Sequence, residues 1–164
     1  MRIVMHVDLD SFYASVEEQR RPEIKGKPIV ICVFSGRGED SGAVSTANYA
    51  ARAHGIKAGM PISLAKKHAA GSDVVFLPVD TPYYREVSEQ VMHIVDAYGI
   101  TEQVSIDETY LQPETADYEI AEQMARQIKE RIKQSVSLTC SIGIGPNKLV
   151  AKMASEFRKP DGLT

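Results

Sequence analysis

Apolar and polar positions alternate between two periods along this chain, and each change of period marks an element. Ile3 to Val7 is an unbroken apolar run, as expected of a buried strand. Ser11 or Asp10 can cap the helix that follows, which begins with Phe12 and Tyr13 and stops at Arg20-Arg21-Pro22. Ile29 to Phe34 is a second continuous apolar run and predicts a strand covered on both faces. Ser35 to Gly42, with Gly36, Gly38, Glu39 and Asp40 inside it, predicts a loop or hairpin turn, and Ala43 to Ala47 its returning strand. A short helix from Tyr49 to His54 stops at Gly55. Pro61 opens another, which runs to about Ala70 before Gly71.

Val74 to Leu77 reads as a strand. Thr81-Pro82 then starts a helix to about Ala97, with Val87, Val91, Ile94 and Val95 on one face. Gln103 to Ile106 and Thr109 to Gln112 read as a hairpin with Asp107-Glu108 at or near its bend. A helix follows over about 117–134, with Ile120, Met124, Ile128 and Ile132 on one face. Leu138 to Ile144 is an apolar strand, and Asn147 opens a last helix to about Phe157. From residue 74 to 144 the order is β-α-β-β-α-β. This is the ferredoxin-like arrangement, a mainly antiparallel sheet with helices on one face. The first strand must join that sheet, and the helices and hairpin after it form an insertion. The fold class is α+β.

Composition is that of a globular domain, 43% apolar and 25% charged in 164 residues. There is no run of about 18 apolar residues to span a membrane and no secretory leader pattern, so a cytoplasmic protein is expected. Cys32 and Cys140 sit in apolar runs and read as buried reduced thiols. His6, His54, His68 and His93 form no zinc-like grouping. The net charge of −3 is unusual for a free-standing nucleic-acid binder, which is normally basic.

The candidate chemistry lies in Asp8, Asp10, Asp107 and Glu108. The first strand delivers Asp8 and Asp10 at its C-terminal end, on one side of the strand, with Leu9 on the other. If the central hairpin lies beside that strand, the carboxylates converge. A few carboxylates leave an octahedral Mg2+ shell open for water and phosphate oxygens. Two such ions about 3.5–4 Å apart would serve an in-line phosphoryl displacement. The competing reading is that these acids are surface and turn residues.

Tyr49 and Arg52 share a helix face and could grip a phosphate chain, or be a core aromatic and a solvated cation. Gly143-Ile144-Gly145-Pro146-Asn147-Lys148 could offer backbone N–H groups to a phosphate, and a tight strand–helix turn explains it equally well. Lys148, Lys152 and Lys159 are phosphate-contact candidates. Arg126, Lys129, Arg131 and Lys133 read as the wet face of their helix.

Taken in order, several segments resemble the Y-family DNA polymerases of the DinB-like, polymerase IV type. They are Val7-Asp8-Leu9-Asp10-Ser11-Phe12-Tyr13, Gly26-Lys27-Pro28, Ala43-Val44-Ser45-Thr46-Ala47-Asn48-Tyr49-Ala50-Ala51-Arg52, Gly59-Met60-Pro61, Ser105-Ile106-Asp107-Glu108-Thr109-Tyr110, Ser141-Ile142-Gly143-Ile144-Gly145-Pro146-Asn147-Lys148 and Lys159-Pro160-Asp161-Gly162. The resemblance covers nearly the whole chain. It implies a palm of residues 1–10 and 78–164 and small fingers of residues 11–77.

It further implies that Asp8, Asp107 and Glu108, with the Leu9 carbonyl, hold two Mg2+ ions, whereas Asp10 is not an essential ligand. Tyr13 matches the gate that excludes a ribose 2′-hydroxyl. Phe12, Tyr13, Thr46, Tyr49, Arg52 and Lys159 match the dNTP-binding positions, although an aromatic core place suits Phe12 better. Ala43 would roof the nascent base pair. The implied reaction is error-prone, lesion-bypassing DNA synthesis, in which a primer 3′-oxygen attacks a dNTP and pyrophosphate leaves. Its implied partners are primer–template DNA, the dNTP and, for the full-length protein, a sliding clamp, with the protein itself a monomer. Thr109 replaces a usual alanine and Gln112 a common aspartate, neither at a ligand position.

The family's thumb and basic little finger lie beyond the residues of this chain. A truncated catalytic part is therefore expected, weak on DNA and poor in synthesis alone, and the missing basic domains account for the acidic balance. Two rival readings remain. In a haloacid-dehalogenase-like phosphatase, Asp8 would be the nucleophile and Asp10 an acid, but that group favours a parallel sheet and glycine after the second aspartate. A non-catalytic nucleotide- or DNA-binding fragment is the other.

Overall fold

A computed structural model describes residues 2–164. In chain order the elements are β1 (Val4–Leu9), α1 (Phe12–Arg20), a 3-10 turn (Pro22–Ile24), β2 (Ile29–Phe34), β3 (Gly42–Ala47), α2 (Tyr49–Arg52) and α3 (Ile62–His68). They continue with β4 (Val75–Pro78), α4 (Thr81–Asp96), β5 (Gly99–Gln103), β6 (Glu108–Pro113), α5 (Tyr118–Val136), β7 (Cys140–Gly145) and α6 (Lys148–Phe157). The chain forms two compact units: residues up to Asp10 with Pro82–Thr164, and Ser11–Thr81. No helix among the described residues is long and apolar enough to cross a membrane.

The first unit is built on a four-stranded sheet of order β5-β6-β1-β7, antiparallel at every step. With β1 as first strand, the order β1-α4-β5-β6-α5-β7 is the ferredoxin-like arrangement. The sequence reading had Val74 to Leu77 in that place. The structure corrects this, because β4 pairs in parallel with β2 in the other unit. Both runs are apolar, but β1 is buried along its whole length and pairs on both sides, with β6 and β7. Being next to α4 in sequence made β4 look like its strand. The true partner lies on the far side of the inserted unit.

Alternation divides β1 into two faces. Met5, Val7 and Leu9 share one with Leu111 and Ile142, their neighbours in register. The buried stripe of α4, Val87, Val91, Ile94 and Val95, serves this unit's core. α5 packs on β7 with Ala121, Ala125, Ile128 and Ile132. Ile120, expected in that stripe, is exposed, and Met124 is only half-buried. The buried stripe runs through Ala121 and Ala125 instead, one position further round the helix, which leaves Ile120 facing solvent.

The opposite face carries Val4, His6, Asp8, Tyr110 and Gly143, and α6 packs there. A Cβ on Gly143 would lie 2.0 Å from the Ala151 carbonyl oxygen, so only glycine lets α6 sit so close to β7. Asn147 caps α6 by accepting from the Val150 N–H at 2.9 Å.

In the second unit, β2 lies between antiparallel β3 and parallel β4. Val30, Cys32, Val44, Ala47, Ala51 and Ile62 make its core. Only the first part of β2 is covered on both faces, since Val33 and Phe34 are exposed. Gly42, at φ 137°, would put a Cβ 2.1 Å from the Val33 carbonyl oxygen. Asn48 caps the single turn α2, accepting from Ala51 N–H at 2.9 Å and Ile29 N–H at 3.0 Å. α3 begins at Ile62 with Pro61 as its cap rather than its first residue. Ser11 stands at the N-terminus of α1 in the left-handed region, φ 42°, and its side chain makes no capping bond.

Candidate functional site

The register of β1 against β6 sets Asp8 directly opposite Glu108. The Leu9 N–H donates to the Asp107 carbonyl at 3.0 Å, so the bend before β6 is tied to the end of β1. Asp107 lies in that bend, where the Ser105 hydroxyl donates to its Oδ1 at 2.7 Å. Carboxylates from two distant stretches of the sequence, Asp8 and Asp107-Glu108, are thus brought to the ends of two neighbouring central strands.

Two ammonium groups answer them. Lys159 Nζ lies 2.8 Å from Asp8 Oδ2, and Lys152 Nζ, on α6, lies 3.0 Å from Glu108 Oε2. Burial pushes the Asp8 pKa up to about 6 despite the Lys159 ammonium, and the charges of Asp107 and Glu108 add to the rise. Burial also works to raise Glu108, but Lys152 and the His6 ring outweigh it and hold that carboxyl below its ordinary value. The result is two acids on one face with different proton affinities.

His6 was not singled out by the sequence reading, yet it completes this cluster. Fully buried, its Nε2 lies 3.4 Å from Glu108 Oε2 and its Nδ1 2.7 Å from Ser155 Oγ. The Ser155 hydroxyl donates to the Lys152 carbonyl at 2.7 Å, so it accepts from Nδ1. Burial lowers the His6 pKa against the opposing pull of Glu108. Its one sequence signal is period 2, which puts it on the face of Asp8.

Ligand atoms of His6, Asp8 and Glu108 lie within 4.8 Å of one another, a grouping able to hold a metal ion. Asp8 and Glu108 offer hard oxygens at a spot that already attracts two cations, which fits Mg2+ better than a softer metal.

Asp10, in contrast, leaves the cluster. Its Oδ2 accepts from Thr139 Oγ1 at 2.8 Å and from the Asp161 N–H at 2.9 Å, and its Oδ1 from Ser141 Oγ at 2.7 Å. A carboxylate so engaged is a poor general acid. With the antiparallel sheet, this removes the phosphatase reading. The glycines of Gly143 to Lys148 are explained by packing: a Cβ on Gly145 would lie 2.8 Å from Val150 Cγ1. Lys148 pairs with Glu102. Lys129, expected on a wet face, turns inward to the Cys140 carbonyl at 2.5 Å and Asp161 Oδ1 at 2.6 Å.

The remaining candidates belong to the second unit. Phe12 is buried, and Tyr13, half-buried, packs at a tilt with ring centroids 5.7 Å apart. Thr46 and Ala43 lie on β3, opposite Ile31 and Val33. Tyr49 is 43% exposed, so it is not a core residue. The Arg52 guanidinium sits 5.0 Å from its ring centroid, and Arg52 Nε donates to the Ala47 carbonyl at 2.8 Å.

Fold and site together define an α+β protein whose ferredoxin-like sheet carries a carboxylate centre suited to a hard divalent cation. The chain belongs to the impB/mucB/samB family, whose model matches residues 7–156. It is 52% identical over 168 residues to DNA polymerase IV of Nitrosopumilus maritimus, covering 99% of this chain and 46% of that protein. Against DNA polymerase IV of Methanosarcina acetivorans it is 49% identical over 173 residues, covering 99% and 47%. A crystal structure of DinB from Sulfolobus solfataricus superposes with a TM-score of 0.92 at 41% identity, over 98% of this chain and 47% of that one. An insertion ternary complex of Dbh DNA polymerase gives 0.91 at 42%, over 98% and 47%. The chain spans about half the length of the curated relatives it matches.

Proposed function

We propose that this chain is the nucleotidyl-transfer part of a translesion DNA polymerase. It would direct a primer 3′-oxygen onto the α-phosphate of a template-paired dNTP, with pyrophosphate leaving. The observation that carries this reading is the pairing of Asp8 with Glu108 across β1 and β6, with Asp107 tied alongside. Support comes also from the family and from relatives named DNA polymerase IV. In this reading the first unit is the palm and the second the fingers.

Asp8, Asp107 and Glu108, with the Leu9 carbonyl, would hold two Mg2+ ions. When bound, these ions supply a lowered pKa for the attacking hydroxyl and stabilise the charge that develops on phosphate. The protein's own residues do the rest. Lys159 would exchange Asp8 for the triphosphate, an ammonium being able to pair with either anion. Arg52, whose Nε is anchored on the Ala47 carbonyl, keeps its terminal nitrogens for phosphate oxygens. Tyr49 and Thr46 would add hydroxyl donors. Tyr13, backed by buried Phe12, would hold its ring against the sugar and exclude a 2′-hydroxyl. Ala43, exposed on β3, would present a small surface to the nascent base pair. Primer–template DNA and a dNTP are the substrates.

The test is primer extension by this chain fused to the C-terminal half of the Nitrosopumilus relative. Metal-dependent incorporation should fall at least 1,000-fold, by order of magnitude, in Glu108→Ala, as when a group essential to transition-state charge stabilisation is lost. Undiminished synthesis would remove Glu108 from the site.

A further inference from the structure

The second aspartate of Asp8-Leu9-Asp10 has the appearance of a catalytic acid and the surroundings of an anchor. It is buried, and three donors from two separate segments converge on it: the hydroxyls of Thr139 and Ser141, and the backbone N–H of Asp161. Its own N–H donates to the Thr139 carbonyl at 3.1 Å. Ser141 Oγ in turn accepts from the Gly162 N–H at 3.2 Å. Lys129 holds the same turn from the other side, through Asp161 Oδ1 at 2.6 Å and the Cys140 carbonyl at 2.5 Å. The turn is further fixed where Gly162 to Thr164 hydrogen-bond along Ile142 and Ile144 of β7. Two residues before Asp161 stands Lys159, whose ammonium touches Asp8.

We infer that Asp10 is a positioning residue: it fixes the Lys159–Gly162 turn so that the Lys159 ammonium is held at the carboxylate centre, ready for the phosphates of the incoming nucleotide. The inference rests on the polymerase reading for the identity of that nucleotide. It assigns different jobs to the two aspartates of one short motif. Asp8 faces the reacting groups. Asp10 points into the protein and determines where a substrate-binding cation stands.

The donors around position 10 suit a carboxylate best. All three donors present hydrogens, so position 10 must accept on both oxygens. An asparagine offers one accepting oxygen and no charge: turned one way its NH2 meets the Asp161 N–H head-on, turned the other it forces the Ser141 hydroxyl to rotate and accept, and the remaining bonds lose their charge assistance. Because Asp10 helps to hold the Lys159–Gly162 turn through the Asp161 N–H, Asp10→Asn should act through Lys159 rather than on the metal.

The test is a double-mutant cycle on the 164-residue protein, titrated with dTTP in the presence of Mg2+ by calorimetry. Lys159→Ala and Asp10→Asn should each weaken binding about tenfold or more, the scale of a hydrogen bond to a charged group. Asp10→Asn in the Lys159→Ala background should weaken it no further. Amide exchange at Asp161 and Gly162 should accelerate in Asp10→Asn. Should that variant fail to fold, Lys129→Met releases the same turn from its other side and should show the same non-additivity. Additive losses, or near-normal affinity in Asp10→Asn or Lys129→Met, would overturn the inference and leave the polymerase reading intact. Unchanged affinity in Lys159→Ala, or no Mg2+-dependent binding by the wild type, would overturn the parent reading and this inference with it.

Discussion

Asp8 shows most plainly how environment decides a residue's role. Its carboxyl titrates near 6 because burial and two neighbouring acids outweigh one ammonium. The deprotonated form is the one that would bind a metal ion. Since the folded pKa is raised from 3.8, a cation must expel a proton at any pH below about 6. Mg2+ affinity should therefore be full above about pH 6 and fall about tenfold per unit below it, with protons released on binding. Calorimetry in buffers of different ionisation enthalpy checks this, and a flat affinity from pH 5 to 7.5 would contradict it. Tyr13 carries a second residue-scale prediction. Tyr13→Ala in the fused polymerase should admit ribonucleotides at least tenfold more readily, the usual worth of a steric contact in a pocket. Unchanged sugar selection in paired dNTP and rNTP kinetics would make Tyr13 a packing residue only. Apart from the resemblance, the spacing of the residues does not separate Asp8 from Asp10, and for His6 it gives only the period that puts it on the face of Asp8. The contacts that set their roles come from Thr139, Asp161 and Ser155, each over a hundred residues away and outside the reach of local spacing.

Among the elements, α6 does most to shape the site. It brings Lys152 to Glu108 and Ser155 to His6, and it reaches them because β7 has glycine at 143 and 145. Gly143→Ala should cost about 2 kcal/mol or more in denaturant unfolding, as overpacking of a closed contact does. Gly38→Ala, with open space around it, should change stability by less than about 0.5 kcal/mol. Equal effects would mean that α6 is free to move off the sheet. Most elements were legible: the periods of α4, α5 and β1, the Asn147 cap and the Asp107-Glu108 bend are local signals. The place of β4 was not, because an apolar run does not state which sheet it joins. Nor was the facing of Ile120, because the buried stripe of α5 runs through Ala121 and Ala125 instead.

At the scale of the whole molecule, the candidate residues fall in both units. The first concentrates carboxylates and lysines, and the second presents the paired Tyr49 and Arg52. The long-range pairing of β1 with β6 was one of two readings open in the sequence, because a ferredoxin-like sheet can set its first strand beside the central hairpin, whereas like-charged ends do not attract without a cation. The central claim is that these carboxylates form one metal-dependent nucleotide site. The most direct measurement is calorimetric titration of the 164-residue protein with a dNTP, with and without Mg2+, comparing wild type with Asp8→Ala. Binding that requires Mg2+ and is lost in the variant is the predicted result. Mg2+-independent binding, or equal binding by a folded Asp8→Ala, would contradict the account.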